Sequence, residues 1–250
     1  MKRTLEICVD SLASARAAVA GGADRLELCS ALAVGGLTPY TALLRQIREE
    51  SDIPVRCLMR HRAGDFLYSA EEREFVRRQI LELKDAGADG FVIGCLTAEG
   101  QLDKAAMAPL IEACGGKGIT LHRCIDVSAD LEQTYLAAME LGIDTVLTSG
   151  GAPSAKAGIP TIERLLELRD RLHGPEVLIG AGVNAAAIAE IRSHCPGACA
   201  FHMSGKTEIE SAMRFRREGI PMGLPGLDEW HIQQTDREAV AAARAALDKE

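Results

Sequence analysis

The amino-acid sequence predicts a single α/β domain folded as a (β/α)₈ TIM barrel. Eight short apolar runs alternate with amphipathic segments along the 250 residues, as repeated βα units require. The length suits one such barrel, and no linker rich in Ser and Pro divides the chain. An open doubly wound sheet would more often have five or six strands and a Gly-rich first turn. Here the first strand runs into Asp10-Ser11-Leu12, so no nucleotide cofactor is expected.

The predicted strands are short, apolar and evenly spaced, in the order Leu5–Asp10, Arg25–Cys29, Val55–Arg60, Gly90–Cys95, Ile119–Ile125, Thr145–Ser149, Val177–Ala181 and Cys199–Ser204. The clearest predicted helix covers 71–86, since its apolar residues fall on one face and Ser69 with Glu72 has capping-box spacing. Asn184 is the expected N-cap of a later helix. An Ala-rich helix over 237–247 would close the ring.

One stretch, 205–235, does not fit the alternation of strands and helices. Its content of Gly and Pro predicts a long loop before the last helix, either over the barrel mouth or at a subunit interface. It also contains the only tryptophan, Trp230. A barrel that binds a protein partner through this loop is one alternative for its function.

Charge and composition restrict the possible partners. The formal net charge is −8 and no block of like charges is present, so neither nucleic acid nor an anionic membrane is an expected partner. No apolar run approaches the ~18 residues of a membrane-spanning helix. The eight cysteines are scattered mostly through predicted strands, which indicates reduced thiols in a soluble, cytoplasmic protein. A small molecule is the default partner.

The alternation within the first two strands places carboxylates inside the barrel. If the apolar residues face the helices, then Glu6, Cys8, Glu27 and Cys29 point inward. Buried carboxylates must pair or become neutral, and we expect them to meet Arg56, Arg60 or Arg123. A purely structural network of ion pairs is the alternative.

The end of the fifth predicted strand is crowded with polar groups. The segment 120–126, TLHRCID, brings His122, Arg123, Cys124 and Asp126 to one place, and the eighth strand adds His202. Barrel enzymes keep their chemistry at the carboxyl ends of the strands. The candidate catalytic residues are therefore Glu6, Glu27, His122, Arg123, Asp126 and His202.

Loops after several strands predict an anion-binding site. In the segment 60–68, Arg60 and Arg62 flank a histidine and precede a Gly-Asp turn, as in an anion clamp or a mobile lid. Glycines that follow the later strands would expose backbone N–H groups to a phosphate or a carboxylate. The candidate binding residues of these loops are Ser149, Gly150, Gly182, Ser204 and Gly205.

Taken together, these motifs resemble the CutC family over nearly the whole chain. The motifs are LEIC at 5–8, ELC at 27–29, GGLTP at 35–39, RHRAGDFLY at 60–68, His122-Arg123 with Asp126, LTSG at 147–150, AGV at 181–183 and His202 with Ser204. The resemblance implies a (β/α)₈ barrel in the cytoplasm, assembly as a homodimer or homotetramer, and a role in copper homeostasis. It also implies a polar pocket made of Glu6, Glu27, Arg60, His122, Arg123, Asp126 and His202. This sequence departs from the family pattern at Cys124 and Met203.

Two functions therefore stay open. In the first, the protein binds copper through Cys8, Cys29 and Cys124, with His122 and His202 nearby, because copper(I) prefers thiolates. In the second, it is an enzyme for a small phosphorylated or carboxylated metabolite. Its arginines and glycine loops would hold the anion, Glu6 or Glu27 would be the general base, and His122 the acid.

Overall fold

A computed structural model describes residues 3–217, 219–220, 222–224 and 229–249. Eight parallel strands pair in chain order, and the first also pairs with the eighth, so the sheet closes into a barrel. The strands are β1 (Thr4–Val9), β2 (Arg25–Leu28), β3 (Val55–Leu58), β4 (Gly90–Ile93), β5 (Gly118–Leu121), β6 (Thr145–Thr148), β7 (Glu176–Ile179) and β8 (Ala200–Met203). The predicted fold class is confirmed.

An α-helix follows each strand, except that β8 is separated from the last helix by an additional pair of strands. The helices are α1 (Leu12–Ala20), α2 (Thr41–Glu50), α3 (Ala70–Asp85), α4 (Lys104–Cys114), α5 (Leu131–Glu140), α6 (Ile159–Leu172), α7 (Ala185–His194) and α8 (Arg237–Asp248). Ser69 and Glu72 form the predicted capping box of α3, and Asn184 caps α7 through the Ala187 amide. No helix among the described residues has both the length and the apolar composition of a membrane span.

The main apolar core lies between the barrel and its helices, where residues such as Phe91, Tyr135 and Phe201 are fully buried. The barrel interior is more polar. At its amino end Arg56 donates to Thr120 Oγ1 at 2.6 Å and to Asp144 Oδ1 at 2.6 Å. Arg56 therefore fills the bottom of the barrel, and the expectation that it would pair with Glu6 or Glu27 is wrong.

The fifth strand is shorter than predicted. It ends at Leu121, and a 3₁₀ helix covers Arg123–Val127. The side chain of His122 accepts a hydrogen bond from the Cys124 amide at 3.2 Å, which stabilises the turn out of the sheet. The alternation of inward and outward side chains along β5 therefore does not extend to Cys124.

The two ends of the predicted loop pair with each other. Lys206–Glu210 (β9) and His231–Thr235 (β10) form an antiparallel pair, because residues such as Ile209 and Ile232 alternate with polar ones as strand residues do. Between them, Met213 and Phe215 are exposed. The predicted homodimer or homotetramer stays a prediction, which light scattering on the purified protein would test.

Candidate functional site

A cavity of about 460 Å³ opens at the carboxyl ends of the strands. This is the end of a barrel at which enzymes of this fold place their chemistry. Its lining includes Cys8, Glu27, Arg60, Phe66, His122 and His202. Most of the predicted polar pocket is therefore brought to one place.

Glu6 is fully buried and has a partner on each side. The strand register places it next to Arg25 on β2 and next to His202 on β8. Its Oε1 atom lies 2.8 Å from His202 Nδ1, and its Oε2 atom accepts from Arg25 Nε. Burial would raise the pKa of Glu6, but the charge of Arg25 and the hydrogen bond from His202 outweigh it and lower this pKa to about 2. Glu6 is thus a carboxylate that orients His202.

His202 also faces Glu27 and Cys8. Its Nε2 atom lies 3.8 Å from Glu27 Oε2, and single ligand atoms of Cys8, Glu27 and His202 all lie within 4.8 Å of one another. The burial of His202 opposes its protonation, but the charges of Cys8 and Glu27 and its hydrogen bonds raise its pKa well above the usual value. Burial and the nearby Glu6 carboxylate raise the pKa of Glu27. These three side chains form a compact set of S, O and N donors.

Of the three predicted metal-binding cysteines, Cys8 and Cys29 lie in one buried cluster and Cys124 does not. Cys29 lies beside this set, with its thiol donating to Glu27 Oε2 at 3.3 Å. Cys124 packs in the outer core instead. A Cβ atom added to Gly94 would lie 2.5 Å from Cys124 Sγ and 2.5 Å from His122 Cε1, so Cys124 fills the space beneath His122. Prediction from sequence missed this because the 3₁₀ helix redirects the chain after His122.

His122 is buried and neutral. Its burial and the charge of Arg60 lower its pKa to about 3. Because Nδ1 accepts the hydrogen bond from the Cys124 amide, the proton of the neutral ring is on Nε2. His122 is therefore a neutral hydrogen-bond donor, and the acid role predicted for His122 fits His202 better.

Asp126 takes up the donors that a phosphate would need. It accepts from Thr148 Oγ1 at 2.5 Å, from the Ser149 amide at 3.0 Å and from the Gly151 amide at 3.1 Å. Arg123 Nε donates to it at 2.6 Å. Asp126 and Arg123 line the cavity, but they pair with each other, so the loop after β6 holds an internal carboxylate.

Two other predicted loop residues, Gly150 and Ser204, also have internal partners. The Gly150 amide donates to Thr148 Oγ1 at 2.8 Å. The Ser204 carbonyl accepts from Thr235 Oγ1 at 3.1 Å, although Ser204 still lines the cavity. Gly182 and Gly205 have positive φ values of 70° and 55°, which is the reason that glycine is found at these turns. None of these contacts assigns an anion to the three glycines.

The two arginines of the 60–68 segment have different positions. Arg60 lines the cavity, whereas Arg62 pairs with Glu72 at 2.6 Å and Asp65 at 3.0 Å away from it. Two further residues belong to the site and were not predicted in it: Arg25, the partner of Glu6, and Phe66. Arg25 could have been found from the sequence, because it alternates on β2 with the same inward direction as Glu27.

Comparisons with known proteins agree with this architecture. Residues 3–207 match the sequence model of the CutC family. A CutC family protein of Chromobacterium violaceum is 40% identical over 250 residues, which is 100% of both chains. One of Vibrio campbellii is 39% identical over 250 residues, covering 99% of this chain and 100% of the relative.

Solved structures give the same result. A crystal structure from Streptococcus agalactiae, described as that of a candidate copper homeostasis protein CutC, superposes with a TM-score of 0.75 at 26% identity over 81% of this chain and 98% of that chain. A thiamine phosphate pyrophosphorylase from Pyrococcus furiosus, with a TM-score of 0.57 and 16% identity over 98% of this chain and 95% of that one, shares the fold alone. On the sequence match over residues 3–207 and these full-length relatives, the chain belongs to the CutC family.

Proposed function

We propose that the protein binds a copper ion at the barrel mouth through Cys8, Glu27 and His202, and that this binding serves copper homeostasis. The observation that supports the proposal is the convergence of one thiol, one carboxylate and one imidazole within 4.8 Å. The Streptococcus agalactiae relative, a candidate copper homeostasis protein, has the same fold. Copper is the cargo in this proposal.

The surroundings of the three side chains suit a metal ion. Metal-binding histidines usually donate their second ring N–H to a carboxylate, which fixes the ring, and Glu6 holds His202 Nδ1 at 2.8 Å in this way. His202 Nε2 then faces Cys8 and Glu27. A thiolate and an imidazole are donors that copper(I) accepts, and Cys29 offers a second thiol next to Glu27. Cys124, in the outer core, takes no part.

A copper(I) titration against a competing chelator under reducing conditions tests this site. We expect Cys8→Ser to weaken binding by about a hundredfold or more, because it removes a soft ligand. Glu6→Gln should weaken it by roughly ten- to a hundredfold, since the orientation of a ligand by its neighbour contributes that much to affinity.

Cys199→Ser is the matched control for this titration. Cys199 is also buried but lies at the amino end of β8, where its thiol contacts Glu176 at 3.5 Å. Its replacement should leave the affinity unchanged. Equal copper affinity in the wild type, Cys8→Ser and Cys199→Ser would contradict the proposed site.

A second candidate function is acid–base catalysis on a small anionic metabolite. The observation that favours it is the hydrogen-bonded chain from Arg25 through Glu6 to His202, which ends beside Glu27 in the cavity. Such a chain holds an imidazole between two carboxylates at the end of the barrel where catalytic groups lie. A titration of the metal-free protein with butyrate tests whether the same cavity takes an anion.

We also propose a cytoplasmic location. All eight cysteines are free thiols and buried, and disulfides are rare in the cytosol. Fractionation of cells followed by immunodetection would test this location.

A further inference from the structure

Two buried hydrogen-bond donors, on residues that line the cavity, have no partner in the described structure. They are Nε of Arg60 and Nε2 of His122. Both residues line the cavity together with Cys8, Glu27 and His202, but they follow β3 and β5 whereas the copper candidates lie on β1, β2 and β8. A buried donor without an acceptor destabilises the folded state, so two of them in one cavity indicate a ligand that accepts from both.

Arg60 presents one free edge of its guanidinium group. Nη1 donates to the Val34 and Gly36 carbonyls at 2.9 and 3.0 Å, and Nη2 donates once, to Gly64 at 3.2 Å. Within the described ranges, no carboxylate pairs with Arg60. The remaining donors are Nε–H and the second proton of Nη2. Arginine binds a carboxylate through two parallel hydrogen bonds from a pair of N–H donors of this kind.

His122 adds a neutral donor to this charged edge. Its Nε2–H is directed by the contact of Nδ1 with the Cys124 amide. The ring of Phe66 lies against both groups, with its centroid 4.7 Å from that of His122 and 5.6 Å from Arg60 Cζ. The Phe66 carbonyl accepts from the Leu96 amide at 2.9 Å, so the backbone of Phe66 is held and access to the two donors requires a rotation of its side chain. A ligand would reach the two donors by displacing this ring.

The geometry favours a carboxylate over a phosphate. A phosphate has more oxygens to satisfy and is usually held by backbone N–H groups at a loop. In this protein Asp126 already accepts from the Ser149 and Gly151 amides. The cavity wall next to Arg60 and Phe66 is apolar, with Leu32 and Leu58, which suits the hydrocarbon part of an organic acid.

We propose that Arg60 and His122 form a binding subsite for the carboxylate group of a small organic acid whose apolar part contacts Phe66, Leu32 and Leu58. The subsite shares the cavity with the proposed copper site but none of its ligands, so it holds or fails independently of copper. The subsite rests on the second candidate function, acid–base catalysis in this cavity. It identifies the substrate class of that function as small organic acids.

The test is a titration of the metal-free protein with butyrate, followed by NMR spectroscopy. The signal observed is the imidazole ¹H–¹⁵N resonance of His122, which is assigned by its loss in His122→Asn. We expect a saturable shift of this resonance. The dissociation constant should rise by roughly ten- to a hundredfold in Arg60→Gln, as for hydrogen bonds to a charged group. Arg62→Gln is the matched control, because Arg62 pairs with Glu72 outside the cavity, and it should bind butyrate as the wild type does.

Three results would overturn the subsite: no saturable shift in the wild type, equal affinity in Arg60→Gln, or saturation by inorganic phosphate at the same or lower concentration than by butyrate. The wild-type titrations decide the matter even if Arg60→Gln does not fold. Since no copper is added, failure here leaves the copper proposal intact. The proposed catalytic function is contradicted separately if butyrate binds as expected but Glu6→Gln leaves the turnover of a bound organic acid unchanged.

Discussion

Asp126→Ala is expected to lower the free energy of unfolding by about 3 kcal/mol, because the variant loses hydrogen bonds to a charged group, and each of these contributes about 1.5 to 3 kcal/mol. The carboxylate accepts from Thr148 Oγ1 at 2.5 Å, Arg123 Nε at 2.6 Å, the Ser149 amide at 3.0 Å and the Gly151 amide at 3.1 Å. Alanine would leave the part-buried donors of Thr148 and Ser149 without this acceptor, at about 1 to 3 kcal/mol each, whereas Arg123, whose side chain is 45% exposed, can bond to water instead. Urea unfolding measured by circular dichroism gives the difference.

Asp65→Ala is the matched control for this measurement. Asp65 also pairs with an arginine, Arg62, at 3.0 Å, but its side chain is 70% exposed. Exposed ion pairs contribute about 0 to 1 kcal/mol, so this variant should stay within that range of the wild type. If Asp126→Ala were no less stable than Asp65→Ala, the role of Asp126 as the internal anion of the β6 loop would be wrong.

The barrel and the Glu6, Cys8, Glu27 and His202 part of the site could be predicted from the alternation of side chains along the strands. Side chains on one strand alternate with period 2, so the apolar residues of β1 and β2 force Glu6, Cys8 and Glu27 inward. The same counting puts His202 inside on β8. Because parallel strands bring their carboxyl ends to one edge, the sequence alone predicts that these four residues meet, as they do.

The partners of these residues could not be predicted in the same way. Glu6 pairs with Arg25 rather than Arg56, Arg60 or Arg123, because the register of β1 and β2 puts Glu6 and Arg25 side by side. Register depends on how the whole sheet closes, and a single strand does not reveal it.

The position of Cys124 shows a second limit. Counting along a strand through 125 would place Cys124 inside with His122, whereas the strand ends at Leu121. The hydrogen bond from the Cys124 amide to His122 Nδ1 starts a 3₁₀ helix that has a different period. A polar side chain that bonds to the backbone near a strand end can therefore change the direction of every later side chain.

His122 should make the protein less stable as the pH falls. Its pKa in the folded state is about 3, below the ordinary value of 6.5, because burial and the charge of Arg60 oppose protonation. Below about pH 6.5 the unfolded chain therefore binds a proton that the folded protein does not. The contribution of neutral His122 to stability is present above pH 6.5 and is lost as the pH falls towards 3. This loss amounts to about 3 kcal/mol between about pH 7 and about pH 4.

Urea unfolding of the wild type and of His122→Asn across this pH range measures the contribution. The asparagine Oδ1 atom can take the place of Nδ1 as acceptor for the Cys124 amide, and asparagine does not titrate. We expect the variant to be less stable at neutral pH, because it loses the contact with Phe66, but to lose about 3 kcal/mol less than the wild type on acidification. His194→Asn, which replaces an exposed histidine, controls for the removal of an imidazole and should follow the wild type. Parallel curves for the wild type and His122→Asn would mean that His122 takes up a proton in the folded state. It would then be a charged group in the cavity, and the neutral donor proposed for the carboxylate subsite would be lost with it.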